Sequence, residues 1–142
     1  MKTYRPTEND FDRKTYLIDA TGKTLGRLAV KIAALLMGKD KPSFCYDQLS
    51  GDQVVVLNAT KVYVTGTKKE TKIYTHYTGY PSGLKSYNFE KLMDDNPEEI
   101  ILRAVKRMLP KNRLGREMLR RLRVYPGDTH QQQAQKPIAI EV

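Results

Sequence analysis

The chain has one cysteine, two histidines and no tryptophan. A lone thiol, Cys45, cannot close an internal disulfide, so nothing points to an oxidising compartment. His76, His130 and Cys45 fall in no metal-ligand spacing, and no metal or cofactor is expected. Long apolar runs are missing as well. No stretch approaches the roughly 18 residues of a membrane span, and the polar first fourteen residues lack the apolar centre of a signal peptide. These absences lead to the expectation of a soluble cytoplasmic protein that meets no membrane.

Catalytic motifs are equally scarce. Gly22-Lys23-Thr24 matches the end of a phosphate-binding loop, but Leu17 stands where that loop needs its first glycine. Gly22 and Gly26 have the wrong spacing for a dinucleotide fingerprint. The paired acids Asp94-Asp95 and Glu98-Glu99 are accounted for by a loop and a helix start. The expectation is therefore a chain that is not an enzyme and takes no small-molecule substrate.

Acids are also outnumbered, with 16 Asp and Glu against 25 Lys and Arg, for a net charge of +9. The excess is uneven. Residues 1–50 hold 9 basic and 6 acidic side chains, residues 51–100 hold 6 and 7, and residues 101–142 hold 10 and 3. A positive field concentrated in the last third fits a docking surface for a polyanion.

At 142 residues the chain suits one domain that folds on its own core. Residues 1–14 read as an extended N-terminal arm. Thr15 to Asp19 reads as a short buried strand, and Thr21-Gly22 as a turn. Thr24 is placed to cap a helix whose apolar stripe is Leu25, Leu28, Ala29, Ile32, Leu35 and Leu36. Gly38 suits its left-handed end. Val54 to Leu57 reads as a strand covered on both faces, as in a parallel sheet, and Val62 and Val64 as its continuation. Lys72 to Tyr77 reads as a strand, Thr78 to Gly83 as a loop, and Phe89, Leu92 and Met93 as a short helix.

Asn96-Pro97-Glu98-Glu99 is a helix start, with Asn as cap, Pro in the first turn and acids at the positive dipole end. Ile100, Ile101, Ala104, Val105 and Met108 would form its buried face, and Pro110 would end it. A further helix is expected from near Asn112 to about Leu122, followed by a polar tail over residues 127–142.

Between Arg103 and Arg123 lie Arg103, Lys106, Arg107, Lys111, Arg113, Arg116, Arg120, Arg121 and Arg123, with Glu117 as the one acid. On a helix, Arg113, Arg116, Arg120 and Arg123 would share an arc of roughly 80°. A merely solvated face would intersperse acids. Unneutralised like charges repel, and the planar fork of Arg grips phosphate oxygens in pairs. A second basic group, Lys68, Lys69 and Lys72, stands near Tyr74, His76, Tyr77 and Tyr80, a mixture suited to phosphate contact and base stacking. The candidate polyanions are RNA, DNA or an anionic membrane surface, and the aromatic rings suit a nucleic acid. An adaptor that binds acidic protein segments is the alternative, and nuclease treatment separates the two.

Ala104 to Arg116, with Leu122-Arg123-Val124-Tyr125 after it, closely resembles the L-thirteen family of large-subunit ribosomal proteins. Leu25-Gly26-Arg27-Leu28-Ala29, Val64-Thr65-Gly66, Tyr77 to Pro81, Gly83-Leu84-Lys85 and Ala134 to Pro137 fit in the same order. Where the family often has Gly before Met-Leu-Pro, this chain has Arg107. The resemblance implies a single compact α/β domain in three layers (α/β/α), with a small, mostly parallel central sheet flanked by helices. It also implies binding to large-subunit ribosomal RNA among neighbouring ribosomal proteins, and a role in subunit assembly. Lys85 and Asn112 join the RNA-binding candidates through these motifs.

Overall fold

Strand β1 (Thr15–Asp19) forms where the expectation put it, and a computed structural model describes the chain around it over residues 4–142. Helix α1 (Leu25–Met37) follows. Thr24 holds the cap position in an extended conformation without a side-chain cap bond. Gly38 ends the helix at φ 75°, which only a residue without Cβ adopts freely, and its N–H reaches the carbonyls of Ala34 and Leu35. Strand β2 (Gln53–Leu57) lies parallel to β1 and is buried from Val54 onward.

Val62 and Val64 correct the sequence reading. Both are buried, yet they lie outside any strand, joined to the sheet region by a single bridge between Thr24 and Tyr63. A short helix α2 (Lys68–Thr71) leads into an antiparallel hairpin of β3 (Ile73–Tyr77) and β4 (Leu84–Asn88). Helix α3 (Phe89–Asp95) and helix α4 (Pro97–Met108) follow directly. On α4 the buried face holds Ile100, Ile101 and Val105, but Met108 is 40% exposed, and Leu109, just past the helix, takes the inward place.

Helix α5 (Arg113–Arg120) stops short of the expected end. Leu122, Arg123 and Val124 form β5, parallel to β2, with Leu122 beside Val54 and Val124 beside Val56. The alternation buried, exposed, buried is that of a strand. Arg123 is thus removed from the helical stripe. Ile138–Ala139, within the tail, forms β6 beside Tyr16 and Leu17 of β1. The order β5-β2-β1-β6 makes a four-stranded parallel sheet flanked by helices, so the fold is α/β in one compact domain.

Ile18, Val54, Val56, Leu122 and Val124 share one apolar cluster with Leu28, Ile32 and Leu36 of α1 and Ile100, Ile101 and Val105 of α4. Each such side chain contributes about 1.5–3 kcal/mol when fully buried. Among residues 4–14 a single 3-10 turn (Glu8–Asp10) precedes the buried Phe11, and the first three residues of the expected arm lie outside the described residues. The arm is fastened by Asp52, itself 3% exposed, which accepts bonds from the Lys14 N–H at 2.9 Å and Lys41 Nζ at 2.6 Å.

At the other end of β1, Asp19 accepts bonds from the Thr21 hydroxyl (2.7 Å) and N–H (3.0 Å) and from Asn58 Nδ2 (3.0 Å). The Thr21 hydroxyl first, then Asn58, hold its carboxyl below the usual aspartate value. A carboxyl depressed in the folded state adds stability above its unfolded pKa, and that stability is lost as the pH falls through the folded value. Asp19→Asn should therefore flatten the fall in urea midpoint on acidification from pH 5 toward pH 2. An unchanged acid limb in the variant would show that these bonds carry no linkage.

Candidate nucleic-acid interface

Pro110 cannot continue α4, because its ring removes an N–H and clashes with the preceding turn. The chain turns through Leu109 to Asn112, and Asn112 then caps α5 by accepting the Gly115 N–H at 2.8 Å. Gly115 is required here. A Cβ at this position would stand 1.9 Å from the Pro110 carbonyl oxygen, so any other residue would push α5 away from the turn. Helices α4 and α5 are thereby locked at a tight corner, and β3 closes the third side. Between them lies an open cleft of about 850 Å³.

Seven of the expected RNA-binding residues meet at this cleft: His76, Arg103, Lys106, Arg107, Lys111, Asn112 and Arg116. Thr75, Glu99, Leu102, Leu109, Pro110, Gly115 and Leu119 also line it, and none of these was a sequence candidate. Arg103 is committed to the protein. Its Nε and Nη2 lie 2.9 and 2.7 Å from Glu99 Oε1, and its guanidinium sits 5.4 Å from the centroid of the Tyr74 ring. Lys106, Arg107, Lys111 and Arg116 are exposed, and none has an ion-pair partner among the described residues.

Two candidates are corrected. Tyr74 is 3% exposed, stacked near Phe89 at 6.4 Å and overlaid by Lys72 Nζ at 5.1 Å, so its ring supports the hairpin and offers no stacking face. Arg121 turns inward, donating from Nη1 to the Gly51 carbonyl at 2.6 Å. Burial, and then the charge of Arg13, lower its pKa. Both residues were named from charge and aromatic content, which do not report which way a strand or helix end faces.

The remaining candidates stand outside the cleft. Arg113 is exposed at the start of α5 and free of ion pairs among the described residues. Arg120 meets Glu117 at 2.9 Å, an exposed contact worth little. Lys85 lies opposite His76 across the hairpin, beside the cleft wall. Tyr80 is 75% exposed near the hairpin tip. Lys68 and Lys69 are exposed on α2, away from the cleft lining.

Among the described residues, no cluster of His, Cys, Asp and Glu could hold a metal ion, and no helix is long and apolar enough to cross a membrane.

The family described as ribosomal protein L13 matches residues 13–131. The large ribosomal subunit protein uL13 of Caldanaerobacter subterraneus subsp. tengcongensis is 54% identical over 142 residues, covering all of this chain and 99% of its own length. The protein of the same name from Aquifex aeolicus is 53% identical, with 100% and 99% coverage. That from Thermotoga petrophila is 50% identical, with 100% and 95% coverage. The family match over residues 13–131 and these full-length relatives at 50–54% identity make the chain a member of the ribosomal protein L13 family.

Proposed function

We propose that this chain is a structural, non-catalytic constituent of the large ribosomal subunit and that it holds ribosomal RNA against the corner between α4 and α5. The reading rests on four exposed cations, Lys106, Arg107, Lys111 and Arg116, that gather around one cleft and have no ion-pair partner among the described residues, the carboxylate in the lining, Glu99, being paired with Arg103. Unpaired like charges held this close raise the energy of the free protein. Phosphates would relieve that repulsion, and Arg is suited to grip them in pairs. Arg113, Lys85, Lys68 and Lys69 widen the basic surface beyond the cleft. RNA helices present chiefly backbone and shape to proteins, so such contacts position the RNA and support assembly of the subunit.

Neighbouring ribosomal proteins would complete the surroundings in a cytoplasmic ribosome. One face of the hairpin, with Ile73, Tyr77 and Leu84 each more than half exposed, offers them apolar surface. If about six phosphates are neutralised, log affinity for a ribosomal RNA fragment should fall with log salt at a slope of about −4 to −5. Filter binding between 50 and 200 mM salt (roughly the range over which such contacts weaken) measures it. A flat response would remove the phosphate reading.

A further inference from the structure

The cleft is built for more than phosphate. Its floor is apolar, made by Leu102, Leu109, Pro110 and Leu119, while the free cations stand around it. A paired RNA helix resting on this corner would satisfy the cations and leave these apolar side chains without a partner. The volume of about 850 Å³ lies in the ordinary small-ligand range of roughly 300–1,000 Å³. Building on the RNA reading above, we propose that the cleft receives one unpaired nucleotide of the bound RNA, its base against the apolar floor and its flanking phosphates on Lys106, Arg107, Lys111 and Arg116.

The polar groups in the cleft fit the edge of a base. Both bonds from Arg103 end on Glu99 Oε1, which leaves Oε2 to accept from an exocyclic amino group. Asn112 spends its Oδ1 on the Gly115 N–H, which leaves its amide NH₂ to donate. The exposed Thr75 hydroxyl adds a group that can donate or accept. A carboxylate acceptor favours adenine, cytosine or guanine over uracil, which has no exocyclic amino group. Unpaired bases are where RNA offers such edges to proteins.

The test compares RNA hairpins that are identical except for one bulged adenosine, one bulged uridine or full pairing, titrated by fluorescence anisotropy at fixed salt. The bulged adenosine hairpin should bind about tenfold more tightly than the paired one, the worth of one good base contact, with bulged uridine between them. Thr75→Trp puts a large ring into the lining of the cleft and removes no cation. It should abolish the bulge preference, so that the bulged adenosine and paired hairpins bind alike. Equal binding of all three hairpins by the unaltered protein, or a bulge preference that survives Thr75→Trp, overturns the nucleotide pocket and leaves the basic interface standing. Failure to bind any hairpin overturns the RNA reading itself.

Discussion

Arg113→Glu combined with Arg116→Glu should weaken binding to ribosomal RNA by roughly a hundredfold or more while leaving the fold intact, since each charge-assisted bond lost is worth about 1.5–3 kcal/mol. The two positions separate binding from folding unusually well. Both side chains are exposed, and neither has an ion-pair partner among the described residues. They lie in the first turns of α5, whose opening turn carries no acid. The positive end of a helix dipole disfavours cations there and favours carboxylates, by a few tenths of a kcal/mol or more per charge. The substitutions should therefore be neutral or slightly stabilising for the isolated protein. Thermal melting by circular dichroism reads the fold, and filter binding at fixed salt reads the interface. The salt slope should also shrink by about 1 to 2, for two phosphates no longer neutralised. Unaltered affinity with an unaltered melt would mean that RNA lies elsewhere on the surface.

The same two residues illustrate what could be read from sequence. The excess of Arg and Lys after Arg103 was plain, and so was the helix start at Asn96-Pro97, because both follow from local chemistry. Strand β1, helix α1 with Gly38, and strand β2 were legible from periodicity and cap residues. The missed elements are short and set by tertiary contacts. Leu122-Arg123-Val124 continues an apolar spacing that suits helix or strand alike, and only pairing with Val54 and Val56 decides between them. Leu84-Lys85-Ser86-Tyr87-Asn88 has little β-branched content and becomes β4 through its register with β3. Ile138-Ala139 is a strand only because the edge of β1 is open to it.

The cleft was hidden for a similar reason. Its apolar floor draws on residues that read as ordinary helix packing, and its shape depends on the close approach of Gly115 to Pro110. Tyr74 and Arg121 show the converse error. Residue types suited to RNA were spent on the protein's own hairpin and loop once the chain folded. Charge composition locates an interface to within an element, whereas side-chain direction requires the fold.

Lys41→Met should cost about 3–5 kcal/mol, the usual penalty for stranding one member of a buried ion pair. That is a large part of the roughly 5–15 kcal/mol available to a domain. Asp52 has a side chain 4% exposed and that of Lys41 is 18% exposed, so water cannot replace the lost partner cheaply. Lys41 Nζ also donates to the Asp12 carbonyl at 2.5 Å, so its loss unfastens the arm from the loop after α1. Arg121 is close enough to respond to the charge of Asp52, which holds the loss toward the lower figure. Adding Asp52→Asn removes the buried charge but keeps a carbonyl oxygen to accept the Lys14 N–H. The double variant should then regain much of the stability lost by the single one, even though it contains one more substitution. Urea midpoints of the three proteins decide the matter. If the double variant is less stable than Lys41→Met alone, the penalty does not come from an uncompensated charge, and packing of the Lys41 stem holds this junction together.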